Sequence, residues 1–184
     1  MNIQNKKPRI IVIAGKARSG KNTIADIISK LYKKENKKVI ISPYTKYLKL
    51  YIKDITGKYD DLNKPRTMLQ QLGIEIIKEK LKKDTLLISR QLDDIDIYSY
   101  YFDIIIIPDV RFPSEIEVLK KKYKNVTTIK VITSRENFLN SEEKQHITET
   151  SLDSYNNFDY IINNDDINEL EIELKNIFNN KDYF

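Results

Sequence analysis

Residues 9–14 read RIIVIA, a run of mostly β-branched apolar positions between Pro8 and Gly15, the pattern of a short strand buried on both faces. The period then changes. Ile24, Ile27, Ile28 and Leu31 recur at i, i+3, i+4 and i+7, which predicts a helix over residues 20–34 with one apolar stripe. The segment KVIIS at 38–42, stopped by Pro43, and FDIIII at 102–107, stopped by Pro108, predict a second and a third strand. Residues 126–132 and 159–162 supply two more. Helical patterns fill the intervals at 44–55, 65–82, 85–95, 113–123 and 167–178.

Strands alternating with helices predict an α/β fold, a parallel sheet of about five strands covered on both faces with right-handed crossovers. The spacing is uneven. About sixty residues separate the second and third strands, where a crossover needs only a dozen or so. An insertion over about 44–98 is therefore expected, broken by the polar, turn-rich stretch GKYDDLNKP at 57–65. A second polar stretch without clear period covers 136–149. The 184 residues match one compact domain in length, so the chain is read as a single unit over 1–184.

Composition narrows the chemistry. The net charge of +5 suits a phosphate-bearing partner, but the lysines are scattered. Runs such as Lys33-Lys34 and Lys120-Lys121-Lys122 fall where helices end, where they complement the helix dipole. Charge therefore gives no reason to expect nucleic acid as a partner. With no cysteine there is neither a disulfide framework nor a thiolate metal site, and the single histidine, His146, cannot build a zinc cluster. His146 and the twelve tyrosines are read as structural. No stretch reaches the ~18 apolar residues of a membrane span and no cleavage site follows the first apolar run, so a cytoplasmic protein is expected.

The most specific feature lies between the first strand and the first helix, where residues 15–23 read GKARSGKNT. Glycines at 15 and 20, a lysine at 21 and a following helix N-terminus are the parts of a P-loop. There, backbone N–H groups and the lysine surround the phosphates of a nucleotide. Gly15, Ala17, Ser19, Gly20, Lys21, Asn22 and Thr23 are thus the candidate nucleotide-binding residues, and ATP with Mg2+ the expected cofactors. The general pattern puts a serine or threonine directly after the lysine. Here Asn22 intervenes, and the hydroxyl expected at magnesium is that of Thr23.

A loop ending glycine-lysine-any-threonine resembles those of nucleoside monophosphate kinases. SGKNT at 19–23 is similar to the variant of deoxynucleoside monophosphate kinases and the related phosphomevalonate kinases. DVRFPSE at 109–115 resembles the segment after that family's third strand. RTMLQQLG at 66–73 resembles its acceptor-side helix, and HITE at 146–149 with Leu152-Asp153 the stretch before its last strand. The resemblance touches nearly the whole chain. It implies a three-layer P-loop NTPase fold with a helical acceptor-binding insertion, a lid over about 134–150, and small-molecule nucleotide substrates. It leaves a homodimer open.

Several residues acquire roles on this basis. Asp109, at the end of an apolar strand, can hold magnesium directly or through water, and Arg111 can contact the acceptor phosphate or the transferring group. The bland alternatives are a polar residue leaving a strand and an ion pair with Glu115. Arg66 can clamp a monophosphate, and Gln70 or Gln71 can read a base edge, against a plain helix start with solvated residues. Lys49 matches a lysine of the family's segment after the second strand. Arg135 can swing a cation over the phosphates as part of the lid. Lys21, Asp109, Arg111 and Arg135 form the expected catalytic set, and phosphoryl transfer to an anionic acceptor needs no general base.

The expected activity is phosphoryl transfer from ATP to a (deoxy)nucleoside monophosphate. Kinases of phosphomevalonate or dephospho-coenzyme A type share the loop and sheet. A P-loop ATPase or switch acting on a macromolecule would carry an acidic pair closing the third strand or an aspartate-any-any-glycine segment, neither of which is found. A nucleotide-binding fold that has lost catalysis is the remaining reading.

Overall fold

The computed structural model describes residues 4–58, 66–135 and 144–178, and of Arg66 the backbone only. Its strands are β1 (Arg9–Gly15), β2 (Val39–Ile41), β3 (Ile104–Val110), β4 (Val126–Ile132) and β5 (Tyr160–Asn163). They form one parallel sheet in the order β2-β3-β1-β4-β5. The five strands predicted from apolar runs are all present. The helices are α1 (Lys21–Lys34), α2 (Thr45–Thr56), α3 (Arg66–Gln70), α4 (Leu86–Tyr98), α5 (Pro113–Lys122), α6 (Ile147–Thr150) and α7 (Ile167–Phe178). A wider π-helical stretch, Gln71–Lys80, continues directly from α3.

Strand periodicity decides the layers. Ile11, Ile13, Ile104, Ile106, Ile129 and Val131 face one way and pack on Ile24 and Ile28 of α1 and Leu170 and Leu174 of α7. Their neighbours Ile10, Val12, Ile105 and Ile107 face the other way, onto Ile95 of α4 and Ile116 and Leu119 of α5. Continuous isoleucine runs are required because both faces are covered. Each fully buried isoleucine contributes roughly 1.5–3 kcal/mol. The lysine runs at 33–34 and 120–122 occupy the last turns of α1 and α5, as the dipole argument requires.

Two local expectations change. β3 does not stop at Pro108 but runs on to Val110, and the β1–β3 register shifts between Val12 and Ala14, opposite that proline. A residue without an N–H fits where the ladder is irregular. The consequence is that Asp109 and Arg111 emerge at the carboxyl edge of the sheet, next to the loop that follows β1. The predicted helix over 65–82 is α3 plus the π-helical stretch. With α2 and α4 it makes up the insertion, which has an apolar cluster of its own in Leu48, Ile52, Leu72 and Ile77.

Candidate active site

β1 ends at Gly15 and α1 begins at Lys21, so residues 15–20 turn across the carboxyl edge of the central strand. Gly20 has φ 90°, and a Cβ there would lie 1.9 Å from Asn164 Nδ2. That amide donates to Ser19 O at 2.8 Å and props the loop from beneath. Lys21 is buried, and its Nζ donates to Gly15 O at 2.8 Å and Lys16 O at 2.7 Å, so the ammonium lies across the loop. Ser19 Oγ is buried with no hydrogen-bond partner among the described residues. An orphaned hydroxyl and a fixed ammonium at a helix N-terminus fit a phosphate group.

From this loop a cavity of about 620 Å³ extends under the insertion. Ala17, Gly20, Lys21 and Asn22 line one end. Leu48, Leu69, Gly73, Leu87 and Ile88 make apolar walls at the other, with Lys49, Gln70, Lys78 and Asp84 among the polar groups. Asp109, Arg111 and Glu115 lie between. A smaller cavity of about 260 Å³ lies on the far side of the loop, lined by Ser19, Lys130, Thr133, Arg135 and Asp153 among others. Arg111 and Glu149 line both.

Asp109 reaches the cavity, but its carboxylate already accepts three hydrogen bonds. Oδ1 takes Tyr44 N at 2.8 Å, and Oδ2 takes Thr45 N at 3.0 Å and Thr45 Oγ1 at 2.7 Å. It anchors the start of α2 with both oxygens, and this limits its expected use as a direct metal ligand.

The Arg111 guanidinium pairs with Glu149 rather than Glu115. Nη1 lies 2.7 Å from Glu149 Oε1, 3.1 Å from Thr148 O and 3.5 Å from Gly15 O. Glu149 Oε2 in turn accepts the Ala17 backbone N–H at 2.7 Å. Glu115 is buried instead, where its Oε2 accepts the backbone N–H of Arg111 at 2.8 Å and of Phe112 at 3.0 Å. It fixes the turn from β3 into α5.

Burial pushes the Glu115 carboxyl up to about 7 against those two amides. Lys78, half-buried with its Nζ 3.4 Å from the centre of the Phe112 ring, is held below the usual lysine range by desolvation, while Glu115 and Asp84 pull it back up.

The other predicted residues divide. Lys49 and Gln70 line the main cavity, and Gln70 Nε2 reaches Thr148 Oγ1 at 3.4 Å. Gln71, one residue on, is exposed and away from the lining. Thr23 is likewise exposed on α1, whereas Asn22 lines the cavity. Successive helical residues are rotated by ~100°, so only one of the two can face the loop. Both are exposed, and of the two it is the Asn22 amide that lies on the cavity side. Arg135 lines the smaller cavity and donates to Thr133 Oγ1 at 3.2 Å and to Asn164 O. The Arg66 side chain and residues 136–143 of the expected lid lie outside the described residues. His146 caps α6, its Nδ1 accepting Thr148 N at 3.3 Å.

Sequence reasoning missed Glu149, Asn164, Lys78 and the buried state of Glu115. Glu149 and Glu115 lie within segments singled out for resemblance, so their place was visible without their partners. Among the described residues no cluster of three or more His, Asp or Glu side chains could hold a metal ion, and no helix is long and apolar enough to cross a membrane. Magnesium carried on nucleotide phosphates needs only one or two protein ligands.

A model of the deoxynucleotide monophosphate kinase family matches residues 43–174, well over half of the chain. The match begins after the 15–23 loop, so the loop is a separate observation. No curated protein matches the sequence. Among solved structures, shikimate kinase from Aquifex aeolicus is similar with TM-score 0.53 and 14% identity over 92% of this chain and 96% of that one. A sugar kinase from Janibacter gives TM-score 0.55 and 16% identity over 92% and 93%. The APS kinase of Mycobacterium tuberculosis gives TM-score 0.52 and 9% identity over 94% and 97%. At such identities these likenesses establish the P-loop kinase fold.

Proposed function

The chain belongs to the deoxynucleotide monophosphate kinase family and is a phosphotransferase, and on that premise we propose that it transfers the γ-phosphoryl group of ATP to the phosphate of a deoxynucleoside monophosphate. The products are ADP and the deoxynucleoside diphosphate. The observation that carries this reading is the single cavity of about 620 Å³ running from the 15–23 loop to the helices of the insertion. Its volume lies within the ~300–1,000 Å³ usual for ligand sites, and its two ends differ in chemistry.

In this reading Lys21 and the backbone N–H groups at the start of α1 hold the donor phosphates, the Ala17 N–H being taken by Glu149. Asn22, with Thr23 or Asp109 acting through water, completes the surroundings of magnesium, which supplies charge neutralisation when bound with ATP. Arg111 faces the transferring group, and the insertion over about 44–98 takes the acceptor. Leu48, Leu69, Leu87 and Ile88 enclose its base, while Lys49, Gln70 and Arg66 hold its polar groups. Arg135 and the 134–150 segment cover the donor. The whole chain acts as one kinase domain in the cytoplasm, where its nucleotide substrates are found.

Positioning and electrostatics carry the catalysis, because an anionic acceptor needs no deprotonation. A panel of nucleoside monophosphates, phosphomevalonate, dephospho-coenzyme A, shikimate and sugars assayed for ADP release tests the proposal. Turnover with a deoxynucleoside monophosphate is expected; turnover confined to the other metabolites, or hydrolysis that rises with DNA or RNA, refutes it.

A further inference from the structure

We propose that Glu149 is a positioning residue for the transfer, one carboxylate that holds both the donor loop at Ala17 and the arginine at the transferring group, Arg111. The inference rests on the function proposed above. Each oxygen has its own partner: Oε2 accepts Ala17 N at 2.7 Å and Oε1 meets Arg111 Nη1 at 2.7 Å. The side chain is 7% exposed. A buried carboxylate is costly unless paired and hydrogen-bonded, so these contacts hold it in one place.

The turn that carries Glu149 is itself fixed to both sides of the cavity. Thr148 O accepts Arg111 Nη1 at 3.1 Å, Thr148 Oγ1 accepts Gln70 Nε2 from α3 at 3.4 Å, and Ser151 Oγ donates to Arg111 O. Three residues of the short 146–151 segment, Thr148, Glu149 and Ser151, thus touch the acceptor helix, the end of β3 and the donor loop. All the described contacts of the Arg111 guanidinium use Nη1. A guanidinium has five N–H donors in a rigid fork. Glu149 grips one edge of that fork and leaves Nε and Nη2 for phosphate oxygens.

An amide has a single acceptor oxygen, whereas both partners of Glu149 are donors. Glu149→Gln can therefore keep the Ala17 contact or the Arg111 contact, not both. In the full-length enzyme we expect kcat with the best acceptor to fall about 10- to 100-fold, the range for residues that orient a functional group. The affinity for a non-hydrolysable ATP analogue should stay within about threefold, because removing a negative charge beside the loop does not oppose phosphate. In an Arg111→Ala background the same change should add less than about threefold.

A kcat within about threefold of the parent, or additive losses in the double variant, overturns the proposal. So does an equal loss of analogue affinity, which a merely loosened loop would give. Glu149→Asp, which keeps the charge but withdraws it by one methylene, provides the same readings should the glutamine variant not fold. Nitrogen-detected NMR of the arginine side chains needs neither a variant nor an acceptor. A slowly rotating Arg111 guanidinium supports the contact, and a freely rotating one refutes it. A parent enzyme that phosphorylates no nucleoside monophosphate refutes the function above, and the NMR result still decides the Glu149 contact.

Discussion

Asp109 holds Thr45 twice, accepting its backbone N–H at 3.0 Å and its hydroxyl at 2.7 Å on the same carboxylate oxygen. The end of β3 is thereby tied to the first helix of the insertion, and through it to the acceptor side of the cavity. Replacing Asp109 with Ala removes the acceptor from the start of α2 and should cost about 0.5–2 kcal/mol of stability, as loss of a helix cap does. Denaturant midpoints and the KM for the acceptor read this out, and both should worsen together. Unchanged stability with a large shift in magnesium half-saturation would assign Asp109 to the metal instead.

Gly20→Ala meets two obstacles, a φ of 90° and the Asn164 amide at 1.9 Å from the new Cβ. We expect ATP-analogue affinity to fall at least about tenfold, since the loop must move to admit the methyl group. Adding Asn164→Ala removes the steric obstacle but not the backbone strain, so calorimetry should show partial recovery. Full recovery would mean that the positive φ is not required.

Lys21→Ala removes the ammonium that bridges Gly15 O and Lys16 O. The transfer rate should fall at least about 100-fold, as for loss of one preorganised electrostatic group. Circular dichroism should show the fold unchanged. Retention of more than about a tenth of the activity would remove Lys21 from the proposed mechanism.

Glu115 makes stability depend on pH with a definite sign. Its folded-state pKa of about 7 lies above the ordinary 4.5, so the folded protein binds the proton more tightly. That contribution is fully present below the unfolded pKa and is lost as pH rises through the folded value, an effect of about 3 kcal/mol. Glu115→Gln has no such titration. Denaturant unfolding of both proteins from about pH 4.5 to about pH 8 should show the parent losing stability relative to the variant. A constant difference across that range contradicts it.

The sheet was legible because isoleucine runs buried on both faces can be little else, and the 15–23 loop because its glycines and lysine recur at fixed spacing. The passage of β3 through Pro108 was not legible, since a proline inside a strand depends on an irregular register in the partner strand. Thr23 and Asn22 were separable only once the start of α1 was fixed, because one residue of helical phase decides which faces the cavity. Glu149 escaped for another reason. Its role lies in two contacts distant along the chain, with Ala17 and Arg111, and local sequence carries no sign of either.

The central claim is that the phosphoryl group passes from ATP to the phosphate of a nucleotide. Incubation with γ-labelled ATP and a deoxynucleoside monophosphate, followed by separation of the products, measures this directly. The label is predicted in the terminal phosphate of the deoxynucleoside diphosphate, one equivalent for each ADP formed. Label found only in inorganic phosphate would contradict the account.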